Sequence, residues 1–201
     1  PMEVDRGSLL PLARALKKEI SIPVVGVGRL DRPEIFRRAI SDEHADMAAA
    51  ARSLIADPEY VSKTIAAQDE EIRPCVACNF CLVCLHRGEA LRCAVNPYVG
   101  DDLIQPQPLK STRNVVVVGG GPAGLEAAVW LGRRGYAVTL AEARNELGGR
   151  VTRESATLPG LSEWARVRDW RLAQLKQLPD VQVLLDSSVD AAQILEFDAD
   201  R

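Results

Sequence analysis

The stretch Val115-Val116-Val117-Val118-Gly119-Gly120-Gly121-Pro122-Ala123-Gly124 decides the fold of the second half of the chain. Its valines predict a fully buried strand, which the glycines end at once. Pro122 suits the first turn of a helix that the pattern extends to Arg134, and Gly135 follows at a helix-ending position. A second strand is predicted over 136–142. A strand, a glycine-rich turn, a helix and a strand in this order are typical of a Rossmann-like nucleotide-binding domain.

The glycine spacing in this motif has a physical reason. Glycines permit a tight turn and a close approach of the backbone to a pyrophosphate, whose charge the helix N-terminus favours. Glu142, at the end of the second strand, can accept hydrogen bonds from ribose hydroxyls, and its charge would repel a 2′-phosphate. The alternative is a glycine-rich turn that holds no ligand. The predicted nucleotide contacts are Gly119, Gly121, Pro122, Ala123, Gly124, Glu142, Gly149 and Arg150.

The rest of this half continues the alternation of helices and strands. The pattern predicts an amphipathic helix over 162–178 and a third strand over 181–185. Three arginines on that helix, Arg166, Arg168 and Arg171, are interpreted as a solvated face.

All five cysteines lie in a short middle segment, with the spacing Cys75-x2-Cys78-x2-Cys81-x2-Cys84 and then Cys93. Thiolates at such spacing let one loop wrap a metal or an iron–sulfur cluster, with the fourth ligand arriving from further along the chain. The spacing favours a [4Fe–4S] cluster, and the alternative is a structural zinc. Spacing alone does not choose between Cys84 and Cys93 as the fourth ligand.

The first part of the chain, about 1–67, also alternates strands and helices, which predicts βα units on a parallel sheet. Strands are predicted over 22–29 and 45–51, and helices over 9–19, 33–40 and 57–67. The two strands end in Gly28-Arg29 and Ala51-Arg52. In a (β/α)8 barrel, loops after the last strands bind phosphate, so Arg29 and Arg52 could pair with the phosphate of FMN. The alternative is a pair of surface arginines.

Composition narrows the class of protein. The 201 residues carry a net charge of −3, which argues against a nucleic-acid partner, and no apolar run is long enough to span a membrane. Clustered cysteines in an ordinary globular composition predict a site in the reducing cytoplasm rather than a secreted disulfide framework. The tract Gln105–Pro108 is a predicted linker. Neither end resembles a natural terminus, so we expect an internal fragment that is inactive alone.

Several motifs resemble the old-yellow-enzyme-like family of NADH:flavin oxidoreductases. The segments Val25-Gly26-Val27-Gly28-Arg29 and Ala51-Arg52-Ser53-Leu54-Ile55-Ala56-Asp57-Pro58 resemble the end of its FMN barrel. The segments Arg73-Pro74-Cys75-Val76-Ala77-Cys78 and Cys93-Ala94-Val95-Asn96-Pro97 are similar to the cluster loop of its multidomain iron–sulfur branch. That branch contains trimethylamine and dimethylamine dehydrogenases and 2,4-dienoyl-CoA reductase.

The resemblance implies an α/β architecture in three parts. These are the C-terminal end of a (β/α)8 FMN barrel over 1–67, a cysteine-rich [4Fe–4S] segment and linker over 68–112, and an incomplete FAD- or ADP-binding Rossmann-like domain over 113–201. It further implies that the cluster ligands are Cys75, Cys78, Cys81 and Cys93, with Cys84 as the extra cysteine.

The resemblance also implies a reaction. The two-residue gap between Cys78 and Cys81 resembles the amine dehydrogenases, in which a methylated amine is oxidised and electrons leave FMN through the cluster to an electron-transfer flavoprotein. The alternative is an NAD(P)H-dependent 2,4-dienoyl-CoA or enoate reductase that uses FMN, the cluster and FAD. A third hypothesis is a zinc-stabilised nucleotide-binding module without a redox role. The substrate, the choice among FAD, ADP and NAD(P), and any oligomerisation stay open.

Overall fold

The computed structural model describes residues 4–100, 113–197 and 199. Two compact units divide the chain, Pro1–Asp102 and Leu103–Arg201. Both contain parallel strands joined through helices, so the predicted α/β class with parallel sheets is confirmed. The predicted linker Gln105–Pro108 lies outside the described residues. No helix in the described part of the chain is long and apolar enough to cross a membrane.

The first unit is built from short elements. In chain order they are α1 Leu10–Glu19, β1 Val25–Gly26, α2 Pro33–Ser41, β2 Met47–Ala48, α3 Ala51–Ala56, α4 Tyr60–Ile65, a 3₁₀ turn Asp69–Glu71 and α5 Phe80–His86. Strands β1 and β2 run parallel, with Val25 opposite Met47. Each strand is therefore two residues long and lies inside a longer predicted strand.

Backbone geometry explains these short strands. Gly28 and Arg29 have φ angles of +109° and +52°, so the chain leaves the extended conformation soon after β1. Ala51 and Arg52 were predicted at the end of the second strand, but they form the first turn of α3. The buried side chains of this unit come from separate elements. Tyr60 of α4 is bound to the chain before α2, because its hydroxyl donates a hydrogen bond to the Leu30 carbonyl at 2.9 Å.

Two helical predictions for this unit need correction. The predicted helix 57–67 begins only at Tyr60, because Asp57 uses its carboxylate to accept the Glu59 N–H at 3.0 Å in a turn before the helix. The middle segment was interpreted as loop-rich, yet α5 lies within it and carries both Cys81 and Cys84.

The second unit contains a three-stranded parallel sheet in the order β3-β4-β5. Its elements are β3 Asn114–Val118, α6 Pro122–Arg133, β4 Ala137–Ala141, α7 Arg150–Thr157, a 3₁₀ turn Ser162–Trp164, α8 Ala165–Leu175, β5 Val181–Leu184 and α9 Ala191–Leu195. Helix α6 ends as predicted: Gly135 follows it with φ +86°, a conformation that costs glycine little.

The core of this unit lies between the sheet and the two helices α6 and α8. Leu125 and Val129 of α6 pack against Val138 and Leu140 of β4, together with Leu175 of α8. β4 is the central strand and is well buried. β3 was predicted to be fully buried, but Val118 at its end is 54% exposed because β3 has a single neighbour among the described strands.

The interpretation of the α8 arginines as a solvated face was wrong. Arg171 is 3% exposed, and its Nη2 lies 2.5 Å from the Glu126 carboxylate of α6. Its Nη1 donates to the Val167 carbonyl at 2.7 Å. Arg166 pairs with Glu163 at 3.1 Å, and Arg168 donates to the Thr152 hydroxyl at 3.1 Å. An ion pair thus joins α8 to α6 inside the unit, where a solvated side chain was expected.

We expect Arg171→Leu to lower the free energy of unfolding by about 2–4 kcal/mol, because it leaves the largely buried Glu126 carboxylate without its guanidinium partner. Urea unfolding followed by circular dichroism measures this change. Arg153→Leu is the matched control, since Arg153 is exposed on α7. Equal stability of the two variants would contradict the assigned role of the pair.

Candidate cofactor sites

A cavity of about 180 Å³ opens in the first unit, where the chain leaves β1 and β2. Phosphate in parallel α/β folds binds beyond the carboxyl ends of strands, which is where this cavity lies. The residues predicted to contact FMN phosphate all line it, together with a cysteine of the middle segment: Gly28, Arg29, Ala51, Arg52 and Cys75. The structure therefore brings together two arginines and one cysteine that the sequence places in different motifs.

Arg29 is held within this cavity by the surrounding chain. Its guanidinium donates to the Val4 carbonyl, and its Nε lies 3.9 Å from the Asp31 carboxylate. Asp31 is 5% exposed and also accepts a hydrogen bond from Arg6 Nε at 2.9 Å. Gly28 is required beside it, because a Cβ at φ +109° would lie 3.0 Å from the Leu9 side chain. The cavity is thus lined by two guanidinium groups and the Asp31 carboxylate, and the positive φ at position 28 favours glycine there.

Arg52 links the cavity to the cysteine segment. It lies in the first turn of α3, and its Nη1 donates to the Asn79 Oδ1 at 2.5 Å. Asn79 stands between Cys78 and Cys81 with φ +61°, a left-handed conformation that asparagine tolerates better than most residues. One guanidinium therefore contacts the loop that carries the predicted cluster ligands.

The four predicted ligands share one electrostatic environment. Burial raises the pKa of the Cys75 thiol to about 11, and the Cys93 charge adds to this rise. Burial also raises the pKa of Cys78, again with contributions from Cys93 and Cys81. Cys93 thus lies close enough to affect the first two cysteines, although up to eighteen residues separate them in the sequence.

Cys84 is the most deeply buried of the five cysteines. It lies in the middle of α5 and is 1% exposed. A buried thiol of this kind behaves as a small apolar side chain.

Backbone N–H groups point at the first two sulfurs. The Ala77 N–H lies 3.4 Å from Cys75 Sγ, and the Phe80 N–H donates to the Cys78 sulfur. Ala77 itself has a left-handed conformation, with φ +53°. Such hydrogen bonds stabilise thiolates and tune the potential of an iron–sulfur centre. Among the described residues, no three His, Cys, Asp or Glu side chains are gathered as a single metal ion would require.

Polar clamps close the base of the cysteine segment. The buried Asp57 carboxylate accepts the Arg73 N–H at 2.9 Å, and the Arg73 guanidinium donates to the Val95 carbonyl at 2.7 Å. Asn96 Nδ2 donates to the Ile55 carbonyl of α3 at 3.1 Å. The sequence patterns placed Asp57 at a helix start and Arg73 and Asn96 in the cluster-loop motifs, but they predicted none of these contacts. Each of the three residues stands directly before a proline, which restricts its backbone to extended conformations. That restriction is the signal that could have marked these residues in the sequence.

A second site lies in the second unit, where β3 passes into α6. Gly119 turns the chain with φ +97°. A Cβ on Gly124 would lie 1.9 Å from the Gly119 carbonyl oxygen, so this glycine permits the contact between the turn and α6. A Cβ on Gly121 would meet no atom within 4 Å, and the space beside it is free for a ligand. Pro122 and Ala123 follow in the first turn of α6.

Glu142 follows β4 directly and lies beside this turn. Its Oε2 accepts the Gly120 N–H at 2.6 Å, and its Oε1 accepts the Arg144 N–H at 3.0 Å. It is 9% exposed. A carboxylate has about four acceptor positions, so two remain for ribose hydroxyls. Glu142 thus has a second role that the sequence did not predict: its carboxylate holds the glycine turn through the Gly120 N–H.

The second glycine pair packs on the first. The Gly148 N–H donates to the Gly120 carbonyl at 2.7 Å, and a Cβ on Gly149 would lie 3.3 Å from Gly121. A cavity of about 450 Å³ adjoins this contact and is lined by Gly121, Pro122, Arg150, Glu154, Leu161 and Trp164. Arg150 pairs with Glu154 at 2.7 Å on its rim. Of the predicted nucleotide contacts, this cavity includes Gly121, Pro122 and Arg150.

Comparison with known proteins agrees with this geometry. The model of the FAD dependent oxidoreductase family matches residues 114–173. The chain is 37% identical to NADH oxidase of Thermoanaerobacter brockii, in a match that covers 100% of this chain and 31% of that protein. It is 38% identical to dimethylamine dehydrogenase of Hyphomicrobium, in a match that covers 94% of this chain and 27% of that protein. It superposes with a TM-score of 0.92 on 6-hydroxypseudooxynicotine amine oxidase of Pseudomonas geniculata, at 39% identity, covering 100% of this chain and 31% of that one.

The chain is thus similar over nearly its whole length to oxidoreductases, and residues 114–173 match a FAD dependent family. It spans less than a third of the length of each of these proteins. The resemblance predicted from the cysteine and glycine motifs is thereby confirmed, and the role of each residue stays a prediction.

Two alanine substitutions separate packing from ligand contact in the glycine turn. We expect Gly124→Ala to lower the free energy of unfolding by about 3 kcal/mol or more, because its Cβ would overlap the Gly119 carbonyl. Gly121→Ala should leave stability unchanged and weaken ADP binding by about tenfold or more, because its Cβ would occupy ligand space. Thermal unfolding and ADP titration of the cofactor-stripped protein measure both. An unchanged ADP affinity in Gly121→Ala would argue against this nucleotide site.

Proposed function

We propose that this chain is the electron-exit and nucleotide-binding part of an iron–sulfur flavoprotein amine dehydrogenase. The observation that carries the proposal is the cavity in the first unit, which Arg29, Arg52 and Cys75 line together. Two cations suit the phosphate of FMN, and a cysteine in the same wall suits a cluster close to that flavin. A bound FMN supplies two-electron oxidation of a carbon–hydrogen bond, and a [4Fe–4S] cluster supplies single-electron transfer.

The first unit would be the C-terminal end of a (β/α)8 barrel. Arg29 and Arg52 would bind and orient the phosphate, and Gly28 and Ala51 line the wall beside them. Asp31 holds Arg29 and Arg6, so the cationic groups keep their places before the ligand arrives. This preorganisation favours binding, because few side chains have to be ordered when the phosphate enters.

Cys75, Cys78, Cys81 and Cys93 would hold the cluster. The donor set fits, since four thiols come from one clamped segment and backbone N–H groups already point at two of the sulfurs. The spacing of the four cysteines along the chain favours a cluster over zinc.

The second unit would be a Rossmann-like domain that holds FAD or ADP. Gly121 leaves space for the pyrophosphate, and Glu142 presents a carboxylate for the ribose. An acidic residue at this place disfavours the 2′-phosphate of NADP. The match of residues 114–173 to the FAD dependent oxidoreductase family supports FAD as one occupant.

An amine substrate is the favoured reading of the whole protein. Dimethylamine dehydrogenase and the amine oxidase are similar to the chain in sequence and in fold, and the Cys78–Cys81 gap resembles that branch. The similarity to NADH oxidase favours the second candidate, an NAD(P)H-dependent enoate reductase. An electron-transfer flavoprotein in the cytoplasm would accept the electrons in the first case, and NAD(P)H would supply them in the second.

Two cysteine variants test the cluster assignment. We expect Cys93→Ala to lose iron and sulfide, because it removes a ligand that lies near Cys75 and Cys78. Cys84→Ala should keep both, because the family resemblance leaves this buried thiol as the extra cysteine. Iron and sulfide analysis of the purified full-length protein, with the visible absorbance near 400 nm, gives the result. Iron retained in Cys93→Ala and lost in Cys84→Ala would reverse the assignment, and zinc without sulfide would refute the cluster.

Substrate class is tested with the full-length protein. If the proposal holds, dimethylamine will reduce an artificial dye in the presence of the enzyme, and NADPH will not stimulate turnover. The opposite pattern, NADPH-dependent reduction of an enone or enoyl thioester, would replace the first candidate with the second.

A further inference from the structure

The bond between Arg52 and Asn79 joins two sites that the sequence motifs treat separately. Arg52 lines the cavity with the predicted phosphate contacts, and its Nη1 donates to Asn79 Oδ1 at 2.5 Å. Asn79 belongs to the cysteine loop and stands next to Cys78. It contributes no thiol and lies outside the set of side chains that line the cavity.

The geometry points to Asn79 as a positioning residue that orients the Arg52 guanidinium for the phosphate of the flavin. The inference rests on the proposed FMN site and adds one residue to it. A guanidinium carries five N–H donors in a planar fork, so one bond to a fixed acceptor restricts the plane of the whole group. The remaining donors of Arg52 are then available to the cavity in a preset orientation.

The acceptor itself is well fixed. Asn79 precedes α5 with φ +61°, and its carbonyl accepts the Val83 N–H at 3.1 Å. Its neighbour Cys78 is restrained by the hydrogen bond from the Phe80 N–H. The side-chain oxygen is thus presented from a corner of the loop, and the orientation of Arg52 depends on that loop being in place. Filling the cysteine site and binding the flavin phosphate should for this reason favour each other.

The variant Asn79→Gly isolates this role. Glycine adopts the left-handed conformation without strain, so the loop can keep its path while the acceptor is lost. Glu43→Gly is the matched control, because Glu43 is an exposed residue with φ +57° in the turn after α2, away from the cavity. This substitution also replaces a non-glycine residue in a left-handed conformation by glycine, but it leaves Arg52 unchanged.

The measurement compares FMN with riboflavin, which lacks the phosphate. The dissociation constants of both are measured on the flavin-stripped, cluster-containing full-length protein. We expect Asn79→Gly to bind FMN about tenfold more weakly and riboflavin as tightly as before, the size typical for a lost hydrogen bond to a charged group. Glu43→Gly should leave both constants unchanged. In an Arg52→Met background, Asn79→Gly should have no further effect, because it acts through Arg52.

Other results would overturn the inference. Equal weakening of FMN and riboflavin, or loss of iron from Asn79→Gly, would mean that Asn79 serves the loop alone. Full additivity with Arg52→Met would mean that the two residues act independently. A wild-type protein that binds FMN no better than riboflavin would refute the proposed phosphate site itself, and with it this role for Asn79.

Discussion

The buried carboxylate of Asp57 organises the first unit. Besides the Arg73 N–H it accepts the Lys63 ammonium at 2.9 Å and the Glu59 N–H at 3.0 Å, so it is compensated on several sides. Arg73 in turn reaches the Val95 carbonyl, 22 residues further along the chain. Closing a free loop of this length costs about 3 kcal/mol in chain entropy. The hydrogen bonds of Asp57 and Arg73 offset part of this entropy cost. The shape of the loop therefore does not depend on thiol ligation alone.

This clamp also decides which groups meet in the cavity. Because the segment starts beside α3, Cys75 enters the wall that Arg52 already lines. The electrostatic effect runs in both directions: the Arg52 charge lowers the pKa of Cys75, whereas the Asp31 charge and above all burial raise it. Arg52 therefore contacts the cysteine loop and lines the cavity at the same time.

Much of the second unit was predictable from sequence because its signals are local. The valine run, the glycine turn and Gly135 each state a backbone conformation directly, and the observed β3, α6 and β4 follow them closely. Helix α7 was missed because its apolar positions are few. The α8 arginines were misread because their partners, Glu126 and Glu163, become neighbours only through helix packing or a short turn.

The first unit was less predictable for the same physical reason. Its strands were placed correctly but drawn too long, since the positive φ of Arg29 leaves no trace in residue type. The candidate phosphate residues and the cysteine spacing were readable, because special residue types carry them. The Arg52–Asn79 and Asn96–Ile55 bonds were not, because they join residues 27 and 41 positions apart and depend on the tertiary fold.

The contact between Gly124 and the Gly119 carbonyl means that one pair of atoms serves both recognition and folding. The turn that would face a nucleotide is also the place where the helix rests on its strand. A substitution that distorts the turn at this contact therefore lowers the stability of the fold as well as the affinity for a nucleotide. Selection for a stable fold at this contact should therefore also preserve the shape of the turn that would bind a nucleotide.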